Sequence, residues 1–186
     1  MLNEYVITKT AYWRRALDTD KIPEILQNLG YWAPTQTTRL VSNQGGWQSP
    51  AQTWASLPWM QSWLEDEQLW VSEIYTHMGW TESRPVMGGY WFNINPRGAF
   101  NWPHQHPRTR ISTVCWLQAS EGSGDLVFDC DNQPQWPPEQ DTEYTRAALG
   151  LQPQAGQQIA FPAQIQHRVT PNLTDELRVS IAVNWC

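Results

Sequence analysis

Between Pro85 and Cys186 the chain reads as a succession of short strand-like runs broken by Gly, Pro and Asn, and this constrains its fold most. The runs are GYWFNIN (89–95), ISTVCWLQ (111–118), GDLVFD (124–129), GQQIAFP (156–162), QIQHRVT (164–170) and LRVSIAVNW (177–185). Each is rich in β-branched or aromatic residues and too short for a helix. Several such strands with turn signals between them predict an all-β barrel or sandwich. In the last run Leu177, Val179, Ile181, Val183 and Trp185 alternate with Arg178, Ser180, Ala182 and Asn184. Side chains two apart share a face of a strand, so one face is apolar. The other carries a cation, a hydroxyl, a methyl and an amide, unlike the charged face of a solvated strand.

Residues 1–85 read mainly as helix and loop. LDTDKIPEILQNLG (17–30) has a Thr or Asp cap before an apolar-periodic run, with Gly30 at the stop. In LPWMQSWLEDEQLWVSEIYTHMG (57–79), Trp59, Trp63, Trp70 and Ile74 recur near every third or fourth position, predicting an amphipathic helix. Its exposed face is expected to carry Glu65, Asp66, Glu67 and Glu73, with His77 in the last turn. Thirteen tryptophans, eight of them before residue 81, point to an aromatic-rich core. The expected organisation is one domain over 1–186, with helical support from 1–85 on a β-core from 86–186. Residues 130–155, including DNQPQWPPEQ, read as a long loop and a candidate lid.

The net charge of −6 and a single basic pair, Arg14-Arg15, argue against a nucleic-acid partner. No stretch has the length of a membrane span, and MLNEYVITKTAYWRR lacks the apolar core of a signal peptide. Cys115, Cys130 and Cys186 are odd in number and form no CxxC. A cytoplasmic protein is expected, and the sequon at Asn172 reads as chance.

Only four histidines occur, and two stand one residue apart in NWPHQHPRTR (101–110). On a strand, His104 and His106 would project to one face, and Pro103 and Pro107 suit the ends of a short edge strand. His167 shares its face with Ile165 and Val169, which turns it inward. Neutral imidazoles of this kind suit iron, zinc, copper or nickel. Two alternatives stay open on these residues: an exposed His pair at a strand end, and a core histidine satisfied by its neighbours. Arg178 with Ser180 makes a compact carboxylate receptor, a guanidinium fork plus a hydroxyl. The alternative is an arginine paired with an acid such as Glu176.

In order, HQHP (104–107), FPAQIQHRVTP (161–171) and RVS (178–180) resemble the iron(II)/2-oxoglutarate-dependent oxygenases. The chain is most similar to the group whose motif reads His-x-His-Pro followed by a strand beginning with Ser, here ISTVCWL. The Gly-x4-Phe-Pro segment leading to the second motif is matched from Gly156 to His167. The resemblance covers roughly half the chain. It implies a mainly β fold, a double-stranded β-helix (jelly roll, cupin-like) with supporting N-terminal helices. It also implies an Fe(II)/2-oxoglutarate-dependent dioxygenase that hydroxylates an unidentified small molecule or peptide, releasing succinate and carbon dioxide. By the same resemblance His104 and His167 match iron ligands, Arg178 grips the distal carboxylate of 2-oxoglutarate, and Ser180 is its hydroxyl partner.

His106 departs from the family pattern, which has Asp or Glu there to complete two histidines and a carboxylate. An all-histidine set of His104, His106 and His167 suits zinc or copper as well as iron. Asp125 or Asp129 would have to supply an acid if one is needed. Two rival readings follow: a three-histidine cupin-type dioxygenase independent of 2-oxoglutarate, and a non-enzymatic jelly-roll binding module. Trp116 and Asn101 are further candidates for the pocket wall.

Overall fold

The computed structural model of the protein describes residues 10–17, 19–81, 84–130, 142 and 146–186. Its elements begin with β1 (Trp13–Ala16), α1 (Ile22–Trp32), β2 (Asn43–Gln44), β3 (Trp47–Gln48) and α2 (Gln61–His77). There follow β4 (Met87–Asn95), β5 (Phe100–His104), β6 (Ile111–Gln118), β7 (Leu126–Asp129), β8 (Ala148–Leu151), β9 (Gln157–Pro162), β10 (His167–Val169) and β11 (Arg178–Trp185). Among the described residues all strand pairs are antiparallel. They form a six-stranded sheet in the order β1-β9-β6-β11-β4-β3 and a five-stranded sheet in the order β2-β5-β10-β7-β8. Two facing antiparallel sheets make the expected jelly-roll framework.

All six strand-like runs form strands, and β6 matches its run residue for residue. The alternation in β11 decides the layering. Val179, Ile181, Val183 and Trp185 join the main core with residues of α1 and α2. Arg178, Ser180, Ala182 and Asn184 line a cavity. A smaller cluster, which includes Trp116, Phe128, Ile159 and Phe161, fills the other part of the barrel. Buried aliphatic and aromatic side chains of this kind each contribute about 1.5–3 kcal/mol.

The segment before residue 86 is more than helical support. β1 extends the larger sheet by pairing with β9, β3 pairs with β4, and β2 pairs with β5. These strands are two to four residues long, so they leave no pattern of their own in the sequence. The loop expected over 130–155 likewise contains β8, an edge strand on β7. The lid reading over 131–141 and 143–145, and the reading of residues 1–9, fall outside the described residues.

Helix α1 starts at Ile22 behind Lys21, whose side chain makes no capping bond, and a 3-10 turn over Thr19–Lys21 leads into it. The helix does not stop at Gly30. Trp32 packs edge-on against Trp47 and Phe92, and that packing holds the last turn in place. In α2 the buried face is Trp63, Leu64, Glu67, Val71, Ile74 and Tyr75. Glu67 is therefore inside rather than on the solvated face with Glu65, Asp66 and Glu73. It lies four residues after Trp63 and four before Val71, in the middle of the apolar stripe. Thr113 donates a hydrogen bond to its Oε1, and burial pushes the carboxyl up to about 8.

Asn172 explains the sequon. It is fully buried, its Nδ2 donates to the carbonyls of Asn95 (3.0 Å) and Glu176 (2.7 Å), and its Oδ1 accepts from Thr174 N (2.9 Å). The amide is a structural tie for the turn entering β11. No helix among the described residues is long and apolar enough to cross a membrane.

Candidate active site

His104 ends β5 and is the direct cross-strand partner of His167 on β10. Their rings lie 4.3 Å apart between centroids. The β5–β10 register is irregular between these histidines and the Asn101–Val169 pair. Trp102 and Pro103 fall in that bulge, where a proline removes no ladder bond.

His106 is not on the strand. It follows β5 in the loop, so the two-residue spacing does not bring the rings together by strand alternation. Its backbone N–H donates to the carbonyl of Ala163 at 3.0 Å. Its ring lies between His167, stacked at 5.0 Å, and Trp91 of β4, tilted at 5.7 Å.

The three rings converge, with their ligand atoms all within 4.8 Å of one another. His106 Nε2 and His167 Nε2 are 3.2 Å apart. Nitrogens about 2.1 Å from one ion at a roughly right angle stand about 3 Å apart, so this spacing fits a shared metal. Nδ1 of His104 donates to the carbonyl of Trp102 (2.7 Å) and Nδ1 of His167 to that of Ile165 (2.9 Å). Each bond fixes its ring with the hydrogen on Nδ1 and the lone pair on Nε2, which on His104 lies 3.5 Å from Ser42 Oγ. Burial lowers the His106 pKa to about 3 and the His167 pKa to about 4, and it lowers that of His104 too; the neighbouring rings oppose a charge on His106 and His167 as well. All three are neutral donors at physiological pH.

No acid joins them among the described residues. Asp129 pairs with Arg168, so it does not supply the missing carboxylate. His77 ends α2, edge-on to Trp13 at 6.2 Å, and does not line the cavity.

The cavity between the sheets has a volume of about 390 Å³ and is lined by His104, His106, His167, Arg178 and Ser180 together. Trp116 and Asn101 line it as well, as do Trp91, Asn93 and Asn95 of β4. Arg178 is 2 % exposed, and burial lowers its pKa to about 10 against the opposing charge of Asp125, so it remains a cation at neutral pH. Its Nη1 donates to the carbonyls of Ser123, Gly124 (3.4 Å) and Thr170 (3.3 Å). Its Nη2 is buried, with no partner among the described residues. No carboxylate, Glu176 included, forms an ion pair with it among the described residues. The guanidinium is thus anchored on one side and open on the other. A buried cation with an unmet donor favours an anionic ligand. The amide of Asn93 and that of Asn95 also hold a buried atom without a partner among the described residues.

Sequence reasoning missed Trp91, Asn184 and Gly124. Asn184 was signalled by its place in the row with Arg178, Ser180 and Ala182. Its Nδ2 lies 3.4 Å from His106 Nδ1, and its Oδ1 accepts from Ser112 Oγ at 2.9 Å. Trp91 and Gly124 matter only through neighbours distant in sequence.

A family model described as "Putative 2OG-Fe(II) oxygenase" matches residues 89–184. No curated protein matches the chain in sequence. Among solved structures, a Pseudomonas putida prolyl-4-hydroxylase superposes with a TM-score of 0.71 at 14% identity, covering 95% of this chain and 92% of that one. HygX from Streptomyces hygroscopicus, with nickel and 2-oxoglutarate bound, gives 0.69 at 9% identity, covering 95% and 82%. The alpha-ketoglutarate-dependent epimerase SnoN from nogalamycin biosynthesis gives 0.69 at 14% identity, covering 95% and 78%. At such identities the likeness is one of fold, and it agrees with the two-sheet architecture. The family match spans the three histidines, Arg178 and Ser180, and by it the chain belongs to the 2OG-Fe(II) oxygenases, enzymes whose cofactors are iron(II) and 2-oxoglutarate.

Proposed function

We propose that this oxygenase holds iron(II) on His104, His106 and His167 and receives the distal carboxylate of 2-oxoglutarate on Arg178, with Ser180 as hydroxyl partner. The observation that carries the reading is the buried Nη2 of Arg178, unpartnered among the described residues, in the same cavity as three neutral histidines. When bound, iron(II) with 2-oxoglutarate and oxygen supplies the oxidising power to hydroxylate a C–H bond, releasing succinate and carbon dioxide. The protein's part is orientation. Backbone carbonyls hold two imidazoles with their lone pairs on Nε2, and three further carbonyls hold the guanidinium with one donor open. Trp91 and Trp116 contribute apolar walls that exclude water.

A three-histidine cupin dioxygenase would use the same ligands but leave the buried cation without a role, and a binding module would have no need of converging imidazoles. The substrate is proposed to be a small molecule or peptide. The whole chain is proposed to act as one domain, since β1, β2 and β3 complete sheets built from later strands. The free thiols Cys115, Cys130 and Cys186 favour the cytoplasm. The test is succinate formation from 2-oxoglutarate by protein loaded anaerobically with iron(II) and then exposed to oxygen with ascorbate. Iron-loaded protein that neither binds 2-oxoglutarate nor converts it would refute the reading.

A further inference from the structure

We infer that the substrate is a small carboxylic acid that also carries a neutral N–H or O–H, its carboxylate bound on Arg39 and that donor on Asn93. The inference rests on the proposed function above, in which 2-oxoglutarate occupies Arg178. It starts from the charge of the cavity. The chain holds 18 acidic and 12 basic residues. Even so, among the described residues no Asp or Glu lines the cavity, whereas two arginines do, Arg39 and Arg178. The three histidines add no negative charge. A cavity with cations and no acid draws anionic ligands and disfavours cationic ones.

The two arginines are far enough apart to serve different ligands. Ser180, two residues along β11 from Arg178, pairs with Asn93 of β4, and Asn93 pairs with Gln48 of β3. The Arg39 N–H donates in turn to the carbonyl of Gln48 at 2.8 Å. These are three strand-to-strand steps of about 4.8 Å, which put the Arg39 backbone on the order of 14 Å from β11. Arg178 is buried at the inner end of the cavity, and Arg39 is exposed at its rim. Among the described residues Arg39 has no ion-pair partner. A ligand whose carboxylate rests on Arg178 leaves Arg39 for a second one.

The wall between them adds a second point of recognition. Asn93 Oδ1 is buried and has no partner among the described residues. Such an acceptor is matched by an N–H or O–H of the ligand. An ammonium there would face two arginines with no acid to offset it, so the donor is neutral. Trp91, two residues before Asn93 on the same face of β4, lines the cavity beside His106, with ring centroids 5.7 Å apart. A molecule held at Arg39 and Asn93 lays its carbon skeleton along Trp91, toward the histidines. The anion is a carboxylate because one guanidinium fork matches its two oxygens. A phosphate would call for further cations or a helix N-terminus, and no residue of α1 or α2 lines the cavity.

Calorimetry and ligand-observed NMR test this on protein loaded with zinc(II) and 2-oxoglutarate, since zinc(II) has no redox chemistry and permits no turnover. The probes are the N-acetyl amino acids, each as the acid, as its uncharged primary amide, and as the acid methylated on nitrogen. At least one acid should bind without displacing 2-oxoglutarate. Its amide should bind about tenfold more weakly or worse, and its N-methyl form several-fold more weakly. Added salt should weaken the acid in the wild type, because the rim is open to solvent. Arg39→Gln changes an exposed side chain and should fold; it should erase the preference for acid over amide, and Arg39→Lys should keep part of it. The inference is overturned if no acid binds, or if acids bind only by displacing 2-oxoglutarate. It is equally overturned if any two forms of the probe bind alike in the wild type, or if Arg39→Gln keeps the preference. In each of these cases 2-oxoglutarate still binds, and only this inference falls. If 2-oxoglutarate does not bind the zinc(II)-loaded protein, the proposed function fails and takes this inference with it.

Discussion

Gly124 leaves the space that the Arg178 guanidinium occupies. A Cβ at Gly124 would lie 2.9 Å from the carbonyl of Pro171, and closer still to Arg178 Nη1 and the carbonyl of Thr170. Its φ of +96° is also one that L side chains rarely adopt. Gly124→Ala should therefore strain the turn by about 1 kcal/mol or more and displace the guanidinium. Weaker 2-oxoglutarate binding with unchanged iron(II) uptake, measured by calorimetry and metal analysis, is the expected outcome.

Substitutions of Arg178 itself should separate charge from geometry. Arg178→Ala removes the buried cation and should weaken 2-oxoglutarate binding by about 2 kcal/mol or more, roughly thirtyfold or more. Arg178→Lys keeps a charge but lacks the planar group that sits on three carbonyls, so it should not restore wild-type affinity. Ser180→Ala should act in the same direction and more mildly. The readout is the apparent 2-oxoglutarate constant in succinate formation. Wild-type constants in all three would remove Arg178 and Ser180 from the site.

Metal content tests the histidines. The wild type should take up about one iron(II) per chain, as one three-ligand site implies. Alanine at His104, His106 or His167 should weaken uptake at least as much as loss of an outer partner, roughly tenfold or more. His77→Ala should have no effect. His106→Asp rebuilds a two-histidine, one-carboxylate set and should retain iron. If neither His106→Asp nor His106→Ala differs from wild type, the site has another ligand.

Glu67 makes stability depend on pH. Burial raises its carboxyl from 4.5 to about 8, so between those values the unfolded chain is ionised at this residue while the folded protein keeps its proton. Stability falls as pH rises through that window and levels off above it. Glu67→Gln keeps an acceptor for Thr113 and should remove this part of the slope. By about pH 8 it should be more stable than wild type by on the order of a few kcal/mol. Urea unfolding across the window measures it, and parallel profiles for the two proteins would show that Glu67 is not the cause.

The sequence by itself determined the longer strands. β4, β6, β9 and β11 were legible because each runs six residues or more, is rich in strand-forming residues and is bounded by turn signals, all of them local properties. The polar row Arg178, Ser180, Ala182 and Asn184 followed from the alternation in β11, and the ordered histidine motifs pointed to the family. Tertiary structure decided the rest. β1, β2 and β3 exist because longer strands offer them edges, and α1 passes Gly30 because Trp32 meets Trp47 and Phe92. Glu67 was expected outside, and only the docking of α2 on Thr113 puts it inside. His106 joins His104 and His167 from a loop held by Ala163 and Trp91, residues far from it in sequence. Strand periodicity is written into neighbouring residues, whereas a ligand on a loop, a buried acid and a cation anchored on carbonyls depend on contacts that exist only once the sheets have closed.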